Sequence, residues 1–129
     1  MTQRPAPHAR SQEARHHLPL SPRDFHILFA LVDGECHGYG LVKSLREQTD
    51  GALSLDPANL YRAIQKLSAA GLVEDAERRK AADAADERRR YYRITALGRN
   101  VVAAEAERMR AIAGVAEAKK LIPRSRPAR

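Results

Sequence analysis

The stretch DPANLYRAIQKLSAAG, from Asp56 to Gly71, states its own local structure. Asp56 is a good N-cap, and Pro57 suits the first helical position, where an amide hydrogen would have no partner anyway. Leu60, Ile64 and Leu67 recur at i, i+4 and i+7 and so make one apolar face. Gly71 supplies a left-handed stop. The other face carries Asn59, Arg62 and Lys66, with Tyr61, Gln65 and Ser68 beside them. The pattern predicts a helix over 56–70 with one dry side and one polar side.

Two further helices are expected upstream. Ser21-Pro22 repeats the signal of a cap followed by proline, and Phe25, Ile27, Leu28, Phe29, Leu31 and Val32 make the following segment apolar almost all round. A helix without a polar face is normally buried on more than one side. In a chain this small, one side can face the core and the other a second subunit. Asp33-Gly34 ends it. A second helix is expected from about Gly38 to Thr49, with Leu41, Val42 and Leu45 inward and Asp50-Gly51 as its close.

Downstream, Leu72–Ala76 and Arg90–Ile94 read as short strands, the second from its alternation and its tyrosines. Between them lies ERRKAADAADERR, residues 77–89, a hairpin-like connection. Thr95 caps a final helix that is expected to reach Leu121, before Pro123. Along it Val102, Ala106, Met109, Ala113 and Ala116 repeat at intervals of 4, 3, 4 and 3, like the seam of a coiled coil.

The resulting architecture is mainly α with a small β-hairpin. It is a winged helix-turn-helix over 20–95 and a long C-terminal dimerisation helix over 96–121, flanked by a disordered basic arm (1–19) and a basic tail (122–129). The dimer interface is expected at Phe25, Leu28 and Phe29 on the first helix. On the last helix it is expected at Val102, Met109, Ile112, Ala113 and Ala116.

Composition sets the outer limits. The chain has 129 residues, few aromatics and no tryptophan, so aliphatic side chains and alanine must fill its core. The longest apolar run, Ile27 to Val32, is far short of the ~20 residues of a membrane span. The polar, Pro- and Arg-rich beginning does not resemble a secretory signal. Cys36 stands alone, which excludes an internal disulfide framework and suits a reducing cytoplasm. A membrane protein, a secreted scaffold and a collagen-like fibre are therefore excluded, and a cytoplasmic location is expected.

The net charge is +7, and its distribution says more than its sum. Residues 21–77 carry 5 basic and 9 acidic side chains, whereas residues 78–100 carry 8 basic and 3 acidic. Arg78, Arg79, Lys80, Arg88, Arg89 and Arg90 cluster at the two feet of the connection between the strands, with Asp83, Asp86 and Glu87 toward its tip. Two basic strand ends side by side form a ridge able to straddle a phosphate backbone. The other reading is a solvated loop whose acids neutralise its arginines, but six basic groups against three acids leave it positive.

The 56–70 helix is the candidate reader of double-stranded DNA. A helix enters the major groove with its N-terminal residues nearest the base edges. Asn59 can pair with adenine, and Arg62 and Lys66 suit guanine or phosphate. Tyr61 offers a ring and a hydroxyl. Tyr39 and Gln65 complete the expected contacts. A polar face of this kind is also what any surface helix displays.

Other chemistries find little support. Cys36 and His37, even with His16-His17, lack the spaced pairs of a zinc site, so they read as a core cysteine and a turn histidine that can cap the second helix. No phosphate-binding glycine loop, nucleophile elbow or inward carboxylate pair exists. No enzyme, metal or cofactor is expected.

Several stretches together resemble the PadR family of transcriptional regulators. They are Leu20-Ser21-Pro22, His37-Gly38-Tyr39, Leu60-Tyr61 with Leu67 and Gly71-Leu72-Val73, and the run from Arg89 to Arg99 (RRYYRITALGR). The likeness covers roughly residues 18–120. It implies a dimeric winged-helix repressor of an inverted-repeat operator, in the compact form with a single dimerising helix. The chain departs from the pattern at Asp56-Pro57-Ala58-Asn59, where the family usually has Ser-Pro-Gly-Thr. It departs again at Arg62, in place of a common proline, and at Ser68-Ala69-Ala70, in place of an acidic run. Without tryptophan, it lacks the interface rings between which some relatives stack flat drugs.

The expected function is that of a homodimeric, sequence-specific DNA-binding repressor, with room for a small-molecule effector of unspecified identity in the dimer crevice. The rival is a winged-helix protein-interaction module whose acidic 21–77 segment faces a partner.

Overall fold

Each of the four long helices starts the same way. A side chain just outside the helix accepts the amide hydrogen of the residue three positions on. Ser21 does this for Asp24 at the head of α1 (Pro22–Leu31), and His37 for Gly40 at the head of α2 (Gly38–Gln48). Asp56 does it for Asn59 in α3 (Pro57–Ala69), and Thr95 for Gly98 in α4 (Ala96–Ala118). Each cap satisfies one orphan amide and removes a reason for the helix to start elsewhere. The computed structural model describes residues 12–76 and 90–125.

The helix ends are equally local in origin. After α3, Gly71 takes φ +81°, its N–H donates to the Ser68 carbonyl and the Leu72 N–H donates to the Leu67 carbonyl. That is the paired closure expected of a left-handed stop. The residue after it, Leu72, is buried close to Leu67. Asp50, with φ +56°, and Gly51 end α2 in a related way, and the Thr49 hydroxyl then accepts the Leu53 N–H at 2.9 Å. At α4 the left-handed residue is Lys120, and the Leu121 N–H closes onto the Ala116 carbonyl. The last helix therefore stops before the expected Leu121, on its own closing turn and not on Pro123.

Three antiparallel strands complete the body, in the order β1-β3-β2. Strand β1 is Cys36–His37, β2 is Val73–Ala76 and β3 is Tyr91–Ile94. Val73 pairs with Ile94 and Ala76 with Tyr91, while Cys36 pairs with Tyr92 on the other edge. The two-residue strand β1 is absent from the sequence reading, since it is too short to show alternation.

The core collects Ile27, Leu28 and Leu31 from α1, Leu41 and Leu45 from α2, and Leu60, Ala63, Ile64 and Leu67 from α3. Leu72, Val73, Tyr92 and Ile94 enter from the strands, and Val101 and Val102 from α4. Gly98 lies against the strand end. A Cβ there would run into the Leu72 carbonyl, which already accepts the Thr95 N–H.

Two expectations need correction. The arm does not run free through residue 19: residues 12–15 form a helical turn, Ala14 is buried, and Leu18 and Leu20 pack on the core. The Leu20 N–H donates to the carboxylate of Glu105 at 2.8 Å, and Arg108 holds both oxygens of the same carboxylate. Secondly, Leu28 and Val102 cannot reach a partner subunit. Both are enclosed by their own chain, Leu28 completely, because α1 turns Ile27, Leu28 and Leu31 into the core and the base of α4 is laid across them.

Candidate nucleic-acid interface

Packing splits α3 in two. Leu60, Ala63, Ile64 and Leu67 are buried, which leaves Asn59, Tyr61, Arg62, Gln65 and Lys66 on an exposed face. The helix is held against α2 by the tight turn through Asp50 and Gly51, and α2 is tied to α1 by a 2.8 Å hydrogen bond between His26 and Gln48.

The side chains on that face are not equally available. Asn59 bends back, and its amide nitrogen donates to Asp56 at 3.0 Å. To read a base it must first leave the cap. Tyr39, in the first turn of α2, is 67% exposed, and Tyr61 is 42% exposed. Both stand at the edge of the groove between α2 and α3.

A cavity of about 570 Å³ opens there. Its lining includes the first turns of α2 (Gly38, Tyr39) and α3 (Pro57, Ala58), with Val42, Ile64, Tyr92 and Arg90. Burial pushes the Tyr92 phenol above its ordinary range, and Tyr61 and Asp75 push it further, while Arg90 draws it back.

The sequence reading counts Arg90 in the basic ridge that faces phosphate and does not connect it with Tyr92 or the groove between α2 and α3. The strand period held the signal: 90, 92 and 94 share a side, and Tyr92 and Ile94 are buried. Glu105 was also missed, because a lone glutamate on a helix normally marks its wet face.

Arg78, Arg79, Lys80, Arg88 and Arg89 lie outside the described residues. The strands that flank them pair Ala76 with Tyr91, so the connection leaves and re-enters the sheet at one end. On the exposed face of the sheet, Arg93 of the central strand joins Glu74 of β2 at 2.6 Å and Glu35, just before β1, at 3.9 Å.

For the expected dimer surface, Phe29, Met109 and Ile112 are exposed, and Phe25, Ala113 and Ala116 are half-buried. The Phe25 and Phe29 rings stack at 5.3 Å. Val115 is exposed on the same half of α4. Burial raises the Cys36 thiol pKa, which keeps it protonated, and among the described residues no three potential metal ligands lie together. No helix among the described residues is long and apolar enough to cross a membrane.

The model of the transcriptional regulator PadR-like family matches residues 27–104. No curated protein matches the chain. Among solved structures, it is similar to a transcriptional regulator from Clostridium thermocellum, with 26% identity over 81% of this chain and 91% of that one (TM-score 0.58). It also resembles a PadR family transcription regulator from hypervirulent Clostridium difficile, with 21% identity over 75% and 96% of the two chains (TM-score 0.63). A third likeness is to BpsR of Bordetella bronchiseptica, whose DNA binding is regulated by 6-hydroxynicotinic acid. There the identity is 23% over 85% and 76% of the chains (TM-score 0.58).

Proposed function

The chain belongs to the transcriptional regulator PadR-like family, and we propose that it acts as a homodimeric repressor that grips an inverted-repeat operator through α3. The carrying observation is the division of α3 into a buried apolar face and an exposed face bearing Tyr61, Arg62, Gln65 and Lys66. In this reading the paired α3 helices enter successive major grooves about one helical turn apart. Arg62 and Lys66 contact bases or phosphates, Tyr39 and Tyr61 contact the backbone, and the basic residues at 78–80 and 88–89 hold flanking phosphates. The partner subunit packs on Phe25 and Phe29 and on the Met109–Ala116 stretch of α4. Repression follows from occlusion of the promoter, and a change of a few ångströms in the spacing of the two reading heads suffices for release, because both must dock at once. The BpsR likeness supports a small-molecule effector as the signal.

The test is titration of duplex DNA from upstream of the protein's own gene at low and moderate salt. With six or more phosphates neutralised, affinity is expected to fall about a thousandfold between 50 and 200 mM salt. Replacing Arg62 and Lys66 together by alanine is expected to weaken binding by about 100-fold. Binding indifferent to both changes overturns the proposal.

A further inference from the structure

We propose that Glu105 is a positioning residue for DNA binding: its clasp on the chain just before α1 sets the angle at which the free half of α4 leaves the body, and with it the distance between the two reading heads of the dimer. The proposal rests on the homodimeric, DNA-binding reading of the chain. What it adds is selection between operators by the spacing of their half-sites.

Glu105 lies where α4 parts from its own chain. Its side chain is fully enclosed, and every residue from Ala106 to Ile112 is exposed. An ionised carboxylate is costly to enclose unless it is paired and hydrogen-bonded, and here it is both. Oε2 accepts the Leu20 N–H at 2.8 Å and an Arg108 Nη2–H at 3.1 Å, and Oε1 accepts the Arg108 Nε–H. The Arg108 hydrogen bonds, with that of the Leu20 N–H, keep the carboxyl below the ordinary glutamate range. Its two partners come from opposite sides of the exit. Arg108 belongs to the first turn of the free half, and Leu20 to the segment that leads into α1. The carboxylate thus joins body and free helix at the point where they separate.

A second tie completes the geometry. The Arg99 guanidinium donates to the Val32 carbonyl at 3.1 Å, at the C-terminal end of α1. The base of α4 is therefore fastened at both ends of α1, the helix that carries Phe25 and Phe29. Apolar contacts alone would let the two helices roll on one another, since burial has no direction. Hydrogen bonds to a buried charge are directional and select one arrangement.

The angle matters because the free part is long. From Ala106 to Ala118 α4 extends roughly 20 Å, so a tilt of about 10° at Glu105 carries its tip about 3.5 Å. In a two-fold dimer that meets through the free halves, the tilt is applied twice. One base pair of spacer changes the separation of two half-sites by about 3.4 Å and their relative rotation by about 35°. A clasp that fixes the tilt therefore discriminates between neighbouring spacers.

The test uses the full-length protein and duplexes from upstream of its own gene, with one base pair added to or removed from the operator centre. The native protein is expected to bind the natural spacer at least tenfold more tightly than either altered one, because both heads must dock at once. Glu105→Ala is expected to narrow that ratio to about threefold or less, since a looser exit admits several spacings. Glu105→Gln, which returns an acceptor to the Leu20 N–H, is expected to recover most of the ratio. Should Glu105→Ala fail to fold, Arg108→Ala decides, because that side chain is part exposed, and the ratio is expected to narrow at least twofold. An equal loss at every spacer, as a purely structural role would give, overturns the proposal. So does an unchanged ratio, or a folded Glu105→Gln no better than Glu105→Ala. A native protein that binds these duplexes without regard to spacer also overturns it but leaves α3 standing as the reading helix. Failure of the native protein to bind any duplex overturns both readings.

Discussion

The two halves of α4 are the same helix in opposite surroundings. In the first half, Gly98, Val101, Val102 and Glu105 are all buried against their own chain. In the second, every residue from Ala106 to Ile112 is exposed, Met109 and Ile112 among them, and Val115 follows at 53%. One continuous apolar period thus serves two purposes. The base of the helix finishes the core of the body, and the far half, in the proposed dimer, awaits a second copy. A repeat in the sequence records that a face is dry but not which surface dries it.

The contrast can be broken most forcefully at Gly98. Glycine to alanine inside a helix ordinarily stabilises by up to ~1 kcal/mol. Here a Cβ collides with the Leu72 carbonyl and Ile94, so Gly98→Ala is expected to cost about 3 kcal/mol. Urea unfolding at matched buffer measures it, and a neutral result would show that the helix base is not seated as described. At Gly114, in the exposed half, an added Cβ would meet nothing within 4 Å. Gly114→Ala is therefore the natural partner measurement, with a gain in stability expected.

Glu105 comes next. Its side chain is fully enclosed, and Arg108 together with the Leu20 N–H holds its carboxyl below the ordinary glutamate range against the cost of burial. Glu105→Ala is expected to destabilise by about 2 kcal/mol, because the Leu20 amide loses its acceptor. The lowered pKa means that the folded chain binds fewer protons than the unfolded chain in mild acid. The contribution is therefore complete above the normal glutamate range and drains away as pH falls through that range to the depressed value. Denaturation curves across that interval should steepen their pH dependence in the native protein and lose this part of it in Glu105→Gln.

The smallest effect on the subunit is expected at Ile112. Ile112→Glu places a charge on a surface its own chain leaves open, so the stability of the isolated body should change by less than about 0.5 kcal/mol. The proposed dimer, by contrast, should weaken at least tenfold, as read by sedimentation over a concentration series. An unchanged association with a collapsed body would reverse the assignment of the two halves.

Much of the fold was legible because it is governed locally. Ser21, Asp56 and Thr95 announce helix starts through side chains that reach only three residues along the chain, and Gly71 announces a stop through its freedom at positive φ. The polar face of α3 was legible for the same reason, since i, i+4, i+7 spacing determines what faces away from Leu60, Ile64 and Leu67. Residues 12–20 were not, because nothing in a Pro- and Arg-rich stretch reveals that Ala14 and Leu20 find a place on the body. The cavity was not legible either. Val42, Tyr61 and Arg90 are remote in sequence, and only the packing of α2 on α3 beside β3 brings them to one opening.

The amino-acid order alone determined where the four long helices begin and where the first three end, the amphipathic division of α3 and the basic balance of the 78–100 segment, since caps, periods and charge act within a few residues. Tertiary packing decided that Leu28 and Val102 belong to the core and Phe29 and Ile112 to the outside, that Glu105 secures the N-terminal segment, and that two helix ends share one groove. Those outcomes depend on which surfaces meet, and elements far apart in the chain learn of one another only when burial brings them into contact.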